Sequence, residues 1–445
     1  MLREGFDTAA NAAATCEWLD NTFNGDFLRL SAGGGFGFFE EAARKTKGAV
    51  FDVLGAILRG EKAVGSGHYQ LRFAWADFDF AHIPVGLLSQ VYEKFAWTWA
   101  DREARETSVH YTPRNIAATL VEEAFDKLPN AHQARVLDPA CGAGVFLVLA
   151  FRRLYRELWR TLARRPDTKA IRAILEKQIS GFDISDSALK LSALSLYLTA
   201  IELDPEPIPP EKLKFSNLRD AVLFNSRPPA TPEVGITIGS LGQHLDAAFD
   251  GKFDLVISNP PWTSLPTSEA GKRVAVEFTE IGRAVIRRRG GEDLAVAYQN
   301  PDNAPDLPFI WKSTEWCKPG GRIAMALPAR ILLKQEAVPI RAREAIFELV
   351  EVTGIINGSN LSDTNVWPEM QQPFILMFAR NRRPRPGHAV RFITPQYDSA
   401  LNRRGEVGID SKSAQPIEIA AAVQSPGFGK LWPLELRSIS MSFAS

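Results

Sequence analysis

The stretch FDLVISNPPWT, residues 253–263, constrains the fold more than any other part of the chain. Phe253, Leu255, Val256 and Ile257 form a near-continuous apolar run, the pattern of a strand buried on both faces. Asn259, Pro260, Pro261 and Trp262 then end it. Two consecutive prolines remove two backbone donors and fix φ near about −65°, so neither a helix nor a sheet ladder continues. The residue before a proline is also driven out of the helical region. The product is a stiff, polar rim with a large aromatic at its lip, just past a strand's carboxyl end. In open α/β sheets, ligands sit outside such ends. A plain proline-rich turn with a packed tryptophan has the same sequence, so the rest of the chain decides.

At 445 residues there is room for two or three domains and for a large core. Lys plus Arg and Asp plus Glu balance at 52 each, so any nucleic-acid surface has to be local rather than global. Cys16, Cys141 and Cys317 are too few and too far apart for a disulfide framework or a zinc site, and no metal is expected. No stretch approaches about 18 uninterrupted apolar residues, and the first 30 residues carry acids throughout, unlike a signal peptide. The expectation is a cytoplasmic protein with no membrane segment.

Three regions are expected. Residues 1–104 read as mainly helical, broken by the glycine cluster SAGGGFGFF at 31–39, which lacks the Gly-Lys-Ser/Thr of a phosphate loop. The stretch 83–95 reads as an amphipathic helix. From 105 to 385 strands alternate with helices, the signature of an α/β fold with a mostly parallel sheet covered on both faces. The expected strands are 135–138, 179–183, 235–238, 253–258, 322–327, 351–356 and 374–378. Residues 386–445 read as a short, partly structured tail or the start of a truncated recognition region. Arg152, Arg156, Arg160 and Arg164, four apart, line one helix face and read as a solvated stripe. The basic loop IRRRGGED, 286–293, follows the NPPW turn, and its expected place on the rim makes it a candidate DNA contact.

The second informative stretch is VLDPACGAGVFL, 136–147. An apolar strand ends at Asp138, and Gly142 and Gly144 open a helix, so backbone can approach a ligand closely. It is not G-x-G-x-x-G, so the dinucleotide fingerprint fails. Farther on, GFDIS places Asp183 at the end of another strand, where an acid accepts hydrogen bonds from ribose hydroxyls. Ser185 or Asp186 can cap the following helix, leaving Asp183 to a ligand. Upstream, Thr112-Pro113 reads as the N-cap and first residue of a helix.

Taken in order, YTP, DPACGAG, GFDIS and NPPW resemble the γ-class adenine-N6 DNA methyltransferases of restriction-modification and phage-defence systems, over roughly 83–385. The resemblance implies S-adenosyl-L-methionine on a seven-stranded Rossmann-like sheet, and double-stranded DNA as substrate. Tyr111, Thr112 and Pro113 would line its methionine end. Asp138, Ala140, Gly142 and Gly144 would form the cofactor loop, with Asp183 on the ribose and Ile184 against the adenine. Asn259, Pro260, Pro261 and Trp262 would be catalytic: the Asn259 oxygen and the Pro260 carbonyl accept the two hydrogens of an exocyclic amine, and Trp262 stacks on the flipped base.

This chain departs from the family in places. Trp262 stands where Tyr or Phe is common, and Ser240 stands where an acid often contacts the cofactor adenine after the third strand, Asp220 being a weaker substitute. Trp367 is the candidate second aromatic of the base clamp. The tail is short for a target-recognition domain, so a separate specificity or defence-system subunit is the expected partner. Alternatives stay open: N4-cytosine, RNA or protein-glutamine methyl transfer, or a non-catalytic subunit that binds cofactor or DNA.

Overall fold

The computed structural model describes residues 6–23, 37–58, 112–409 and 414–418, apart from short gaps at 127, 207, 210–211, 228–236, 243–244 and 369. The expected helix at 83–95, most of the glycine cluster at 31–39, and Tyr111 lie outside the described residues.

Among the described residues nine strands form one sheet: β1 Val136–Asp138, β2 Ile179–Asp183, β3 Leu223–Asn225, β4 Phe253–Ser258, β5 Cys317–Pro328, β6 Glu351–Asn357, β7 Phe374–Arg380, β8 Ala389–Ile393 and β9 Ala414–Glu418. Their order is β3-β2-β1-β4-β5-β7-β6-β8-β9. β1 to β5 are parallel, β7 is antiparallel to both β5 and β6, β8 is parallel to β6, and β9 turns back against β8. The doubly wound α/β architecture expected from the sequence is therefore present. The sheet runs on past residue 385 through β8 and β9, two strands more than the seven expected.

The third strand is a correction. Residues 235 and 236 lie outside the described residues, and Thr237 and Ile238 are not in a strand. β3 is instead Leu223–Asn225, a three-residue strand whose side-chain alternation is too brief to stand out. Asp220 sits in the turn that enters it, at φ 58°, with its amide donating to the Leu223 carbonyl. It is at the wrong end of β3 to reach a ligand at the carboxyl edge.

Beyond the bulge at Phe253/Leu255, side chains of β4 alternate between two cores, one on each face of the sheet. Leu255 and Ile257 enter a core with the helices Arg114–Phe125, Val145–Leu162 and Asp186–Leu203, while Val256 enters the opposite core with Glu269–Arg288, Asp306–Trp316 and Ala337–Leu349. All three side chains are inaccessible, each contributing about 1.5–3 kcal/mol by burial. The N-terminal helix Ala9–Thr22 ends at Phe23, whose ring stacks on Tyr197 at 5.4 Å and on Phe215 at 6.0 Å. No helix among the described residues is long and apolar enough to cross a membrane.

Candidate active site

β1 and β4 are neighbours although β2 follows β1 in sequence, so the strand order reverses between them. Crossovers leave in opposite directions there and open a crevice above the carboxyl ends. Asp138 ends β1, and Ser258 ends β4 beside it.

The loop after β1 is built from glycines that need their freedom. Gly142 has φ 51° and Gly144 φ 89°. A Cβ on Gly144 would meet Ser192 Oγ at 2.9 Å, because the loop packs on the helix after β2. A Cβ on Gly142 would meet nothing within 4 Å, so that position faces open space. The loop is fastened from below: Ser192 Oγ donates to the Gly142 carbonyl at 2.7 Å, and the Cys141 amide donates to the Phe182 carbonyl at 2.9 Å. Asp183 Oδ2 accepts from the Gly142 amide at 2.9 Å, and its Oδ1 accepts from the Ser185 amide at 2.8 Å. Each carboxylate oxygen keeps further lone-pair capacity. Burial raises the Asp183 pKa, opposed by those backbone donors. Ser185 caps the helix Asp186–Leu203 through the Ala188 amide, as the sequence suggested.

Asp138 is fully buried. Its Oδ1 accepts from the Ala140 amide at 3.1 Å and from Ser258 Oγ at 2.8 Å. Its Oδ2 is buried and meets no donor among the described residues. Desolvation pushes its pKa to about 7 against the pull of those two hydrogen bonds. Ser258 thus ties the cofactor loop to the NPPW turn, a link that no local motif announces.

Asn259 follows. Its Nδ2 donates to Thr112 Oγ1 at 2.9 Å, while its Oδ1 is buried and accepts nothing among the described residues. Thr112 is therefore not the helix cap expected from the sequence. Pro113 occupies the N-cap position of Arg114–Phe125, with no side-chain cap bond, and Thr112 is buried with its hydroxyl turned to Asn259. Pro260 is buried, and Pro261 is half-buried. Trp262 is 3% exposed and meets Trp367, 2% exposed, edge-on at 5.4 Å. The two aromatics proposed for a base are thus brought together, and in this conformation they pack on each other.

Residues 85–417 match the family model described as N-6 DNA Methylase. The chain belongs to the N-6 DNA methylase family. Among curated proteins, none matches it by sequence. Solved structures share the fold at low identity. One is the methyltransferase subunit of a type I restriction-modification system from Streptococcus thermophilus, at 16% identity and TM-score 0.52, covering 93% of this chain and 70% of that one. Another is the DrdV–DNA complex, at 14% identity and TM-score 0.56, covering 93% of this chain and 39% of that one. Family membership makes the chain a DNA methyltransferase and implies S-adenosylmethionine.

The crevice fits that cofactor on three counts: open space at Gly142, a buried Asp138 oxygen with no donor among the described residues, and spare acceptor capacity on Asp183. Ala140 and Ile184 flank it, and a Cβ on Gly239 would meet Ile184 Cγ2 at 3.0 Å. Ser240 is buried, and its hydroxyl donates to the Pro139 carbonyl at 2.7 Å, so it buttresses the loop. Asn225, which ends β3, and Ser226, which follows it, stand after the third strand, where the sequence reading put Ser240. The Ser226 amide donates to the Asp183 carbonyl at 2.8 Å. A correctly placed β3 would have found them.

The basic loop 286–293 is a second correction. Arg289 donates to the Leu349 carbonyl, before β6, and to Asn381, after β7. The Asn381 amide nitrogen donates to the Cys317 carbonyl at the start of β5. The loop therefore lies at the amino ends of β5 and β6, opposite the crevice. Arg287 pairs with Glu292 and Arg288 with Glu315. Of the arginine stripe, Arg152 pairs with Glu202, Arg156 with Glu122 and Arg160 with Glu157. The stripe is a mainly solvent-exposed face, as expected, and these three arginines are ion-paired as well.

Proposed function

We propose that this chain transfers a methyl group from S-adenosylmethionine to the exocyclic N6 amine of adenine in DNA, with the target base flipped out, within a restriction-modification or phage-defence system. The observation that carries this reading is the buried Oδ1 of Asn259, which meets no donor among the described residues and is held in place because Thr112 engages the amide nitrogen. A buried acceptor without a donor costs about 1–3 kcal/mol, which a substrate N–H relieves. The cofactor supplies an electrophilic methyl on a sulfonium. Gly142, Asp183 and Asp138 would hold it, with Ala140, Gly144, Ile184, Thr112 and Pro113 around it.

The amine of adenine is a weak nucleophile because its lone pair is delocalised into the ring. Asn259 Oδ1 and the Pro260 carbonyl would accept its two hydrogens and favour a pyramidal nitrogen with a directed lone pair. They act by orientation and by stabilising developing positive charge, not as a strong base. The two prolines hold that carbonyl still. Trp262 and Trp367 would take the flipped base once they separate, each stack contributing about 1–3 kcal/mol. A separate subunit reading the DNA sequence fits the balanced charge of this chain.

Asn259→Ala is expected to abolish methyl transfer while cofactor affinity, measured by calorimetry, stays within about two-fold. Transfer at the wild-type rate would overturn the role of Asn259. The closed Trp262–Trp367 pair favours a second reading, a subunit that binds cofactor or DNA without turnover. Cofactor binding by the wild type, with no transfer to any DNA, would select it.

A further inference from the structure

The NPPW turn is anchored at its front by Ser258 and Asn259, but the prolines leave it few donors of its own. At its back stands Arg330, the first residue of the short helix Arg330–Leu333 just after β5. The Arg330 guanidinium donates through Nε to Asp302 Oδ2 at 3.0 Å, and through Nη2 to Asp306 Oδ2 at 2.6 Å and the Trp262 carbonyl at 3.3 Å. Asp306 is 2% exposed, and its other oxygen accepts from the Leu307 amide at 2.9 Å. Asp302 is held on its far side by Lys334 at 2.5 Å. The same loop supplies the Asn303 carbonyl, which accepts from the Leu265 amide at 3.1 Å. A rigid fork clamped by two carboxylates thus directs its remaining Nη2 hydrogen at the last residue of the motif.

We propose that Arg330, fixed by Asp302 and Asp306, is the positioning residue that sets where the Asn259–Trp262 turn stands in the crevice. It touches neither base nor cofactor. It acts by holding the Trp262 carbonyl, and through the stiff prolines that fixes the angle at which Asn259 Oδ1 and the Pro260 carbonyl present themselves. The catalytic consequence rests on the proposed amine chemistry; the mechanical one does not.

The test uses Arg330→Lys and Asp306→Asn in the full chain. Arg330→Lys keeps a charge against the two carboxylates but loses the fork, so it avoids the buried unpaired acids that Arg330→Ala would leave. Hydrogen exchange is read at the amides of Trp262, Thr263, Ser264 and Leu265, with the cofactor loop at 138–147 as internal reference. Faster exchange at 262–265, with 138–147 unchanged, is expected in both variants. In steady-state methylation kcat is expected to fall about 10- to 100-fold, with KM for DNA and cofactor affinity within about two-fold. Unchanged exchange at 262–265, or an unchanged kcat in an active enzyme, would overturn the proposal. Should the wild type transfer nothing to DNA, the adenine reading fails, and the exchange data still decide what Arg330 does.

Discussion

Asp138 shows how one residue serves two loops. It ends β1, receives the Ala140 amide of the loop after β1, and receives the Ser258 hydroxyl that precedes the NPPW turn. Its place at the carboxyl end of β1 was legible locally, from a strand running into D-P-A-C-G. Its partners were not, because Ser258 lies 120 residues away and Thr112 lies 147 residues from Asn259. A cap reading of Thr112-Pro113 was locally sound, and a tertiary contact outweighed it. The buried carboxyl also carries a consequence for pH. Its folded pKa, about 7, lies above the unfolded value near 3.9. Such a group's contribution to stability is fully present below about pH 4 and is lost as pH rises through about 7. In cofactor-free protein, the melting temperature of the wild type relative to Asp138→Asn is therefore expected to fall between pH 4 and 8. A difference independent of pH would mean that Asp138 stays ionised in its pocket.

At the scale of the element, the two loop glycines separate stability from binding. Gly144→Ala forces a Cβ to within 2.9 Å of Ser192 Oγ and 3.2 Å of its Cα, at φ 89°. The expected loss is about 1–3 kcal/mol of stability, seen in thermal unfolding. Gly142→Ala meets no protein atom, so its larger effect is expected on cofactor affinity, seen in titration calorimetry. Equal effects of both changes in both measurements would contradict this division. The long strands were legible from their apolar runs, β4 and β2 to the residue. β3 was not, since three residues do not make a period and the β-branched stretch at 236–238 gave a stronger local signal. The direction of the basic loop was also hidden. The helix Glu269–Arg288 is 20 residues long, or about 30 Å, enough to carry 286–293 back across the sheet. Sequence order alone put it on the active rim.

For the whole molecule, the order of strands decides where chemistry can occur. The crevice forms where β1 meets β4, and the DPACG, GFDIS and NPPW motifs converge on the carboxyl edge there. The opposite edge carries the paired arginines of the basic loop. Replacing Arg287 and Arg288 together with Ala is accordingly expected to leave the salt dependence of DNA binding unchanged, whereas two lost phosphate contacts would reduce the log–log slope by about 1.8. A reduction of that size would place DNA on the amino edge and contradict the geometry. The proposed reaction is methyl transfer to adenine N6 at the NPPW turn. It is tested most directly by incubating the protein with labelled S-adenosylmethionine and mixed genomic DNA, then identifying the labelled nucleoside by mass spectrometry. N6-methyladenine is expected with the wild type and none with Asn259→Ala. Label on cytosine, on protein or RNA, or on adenine regardless of Asn259 would contradict it.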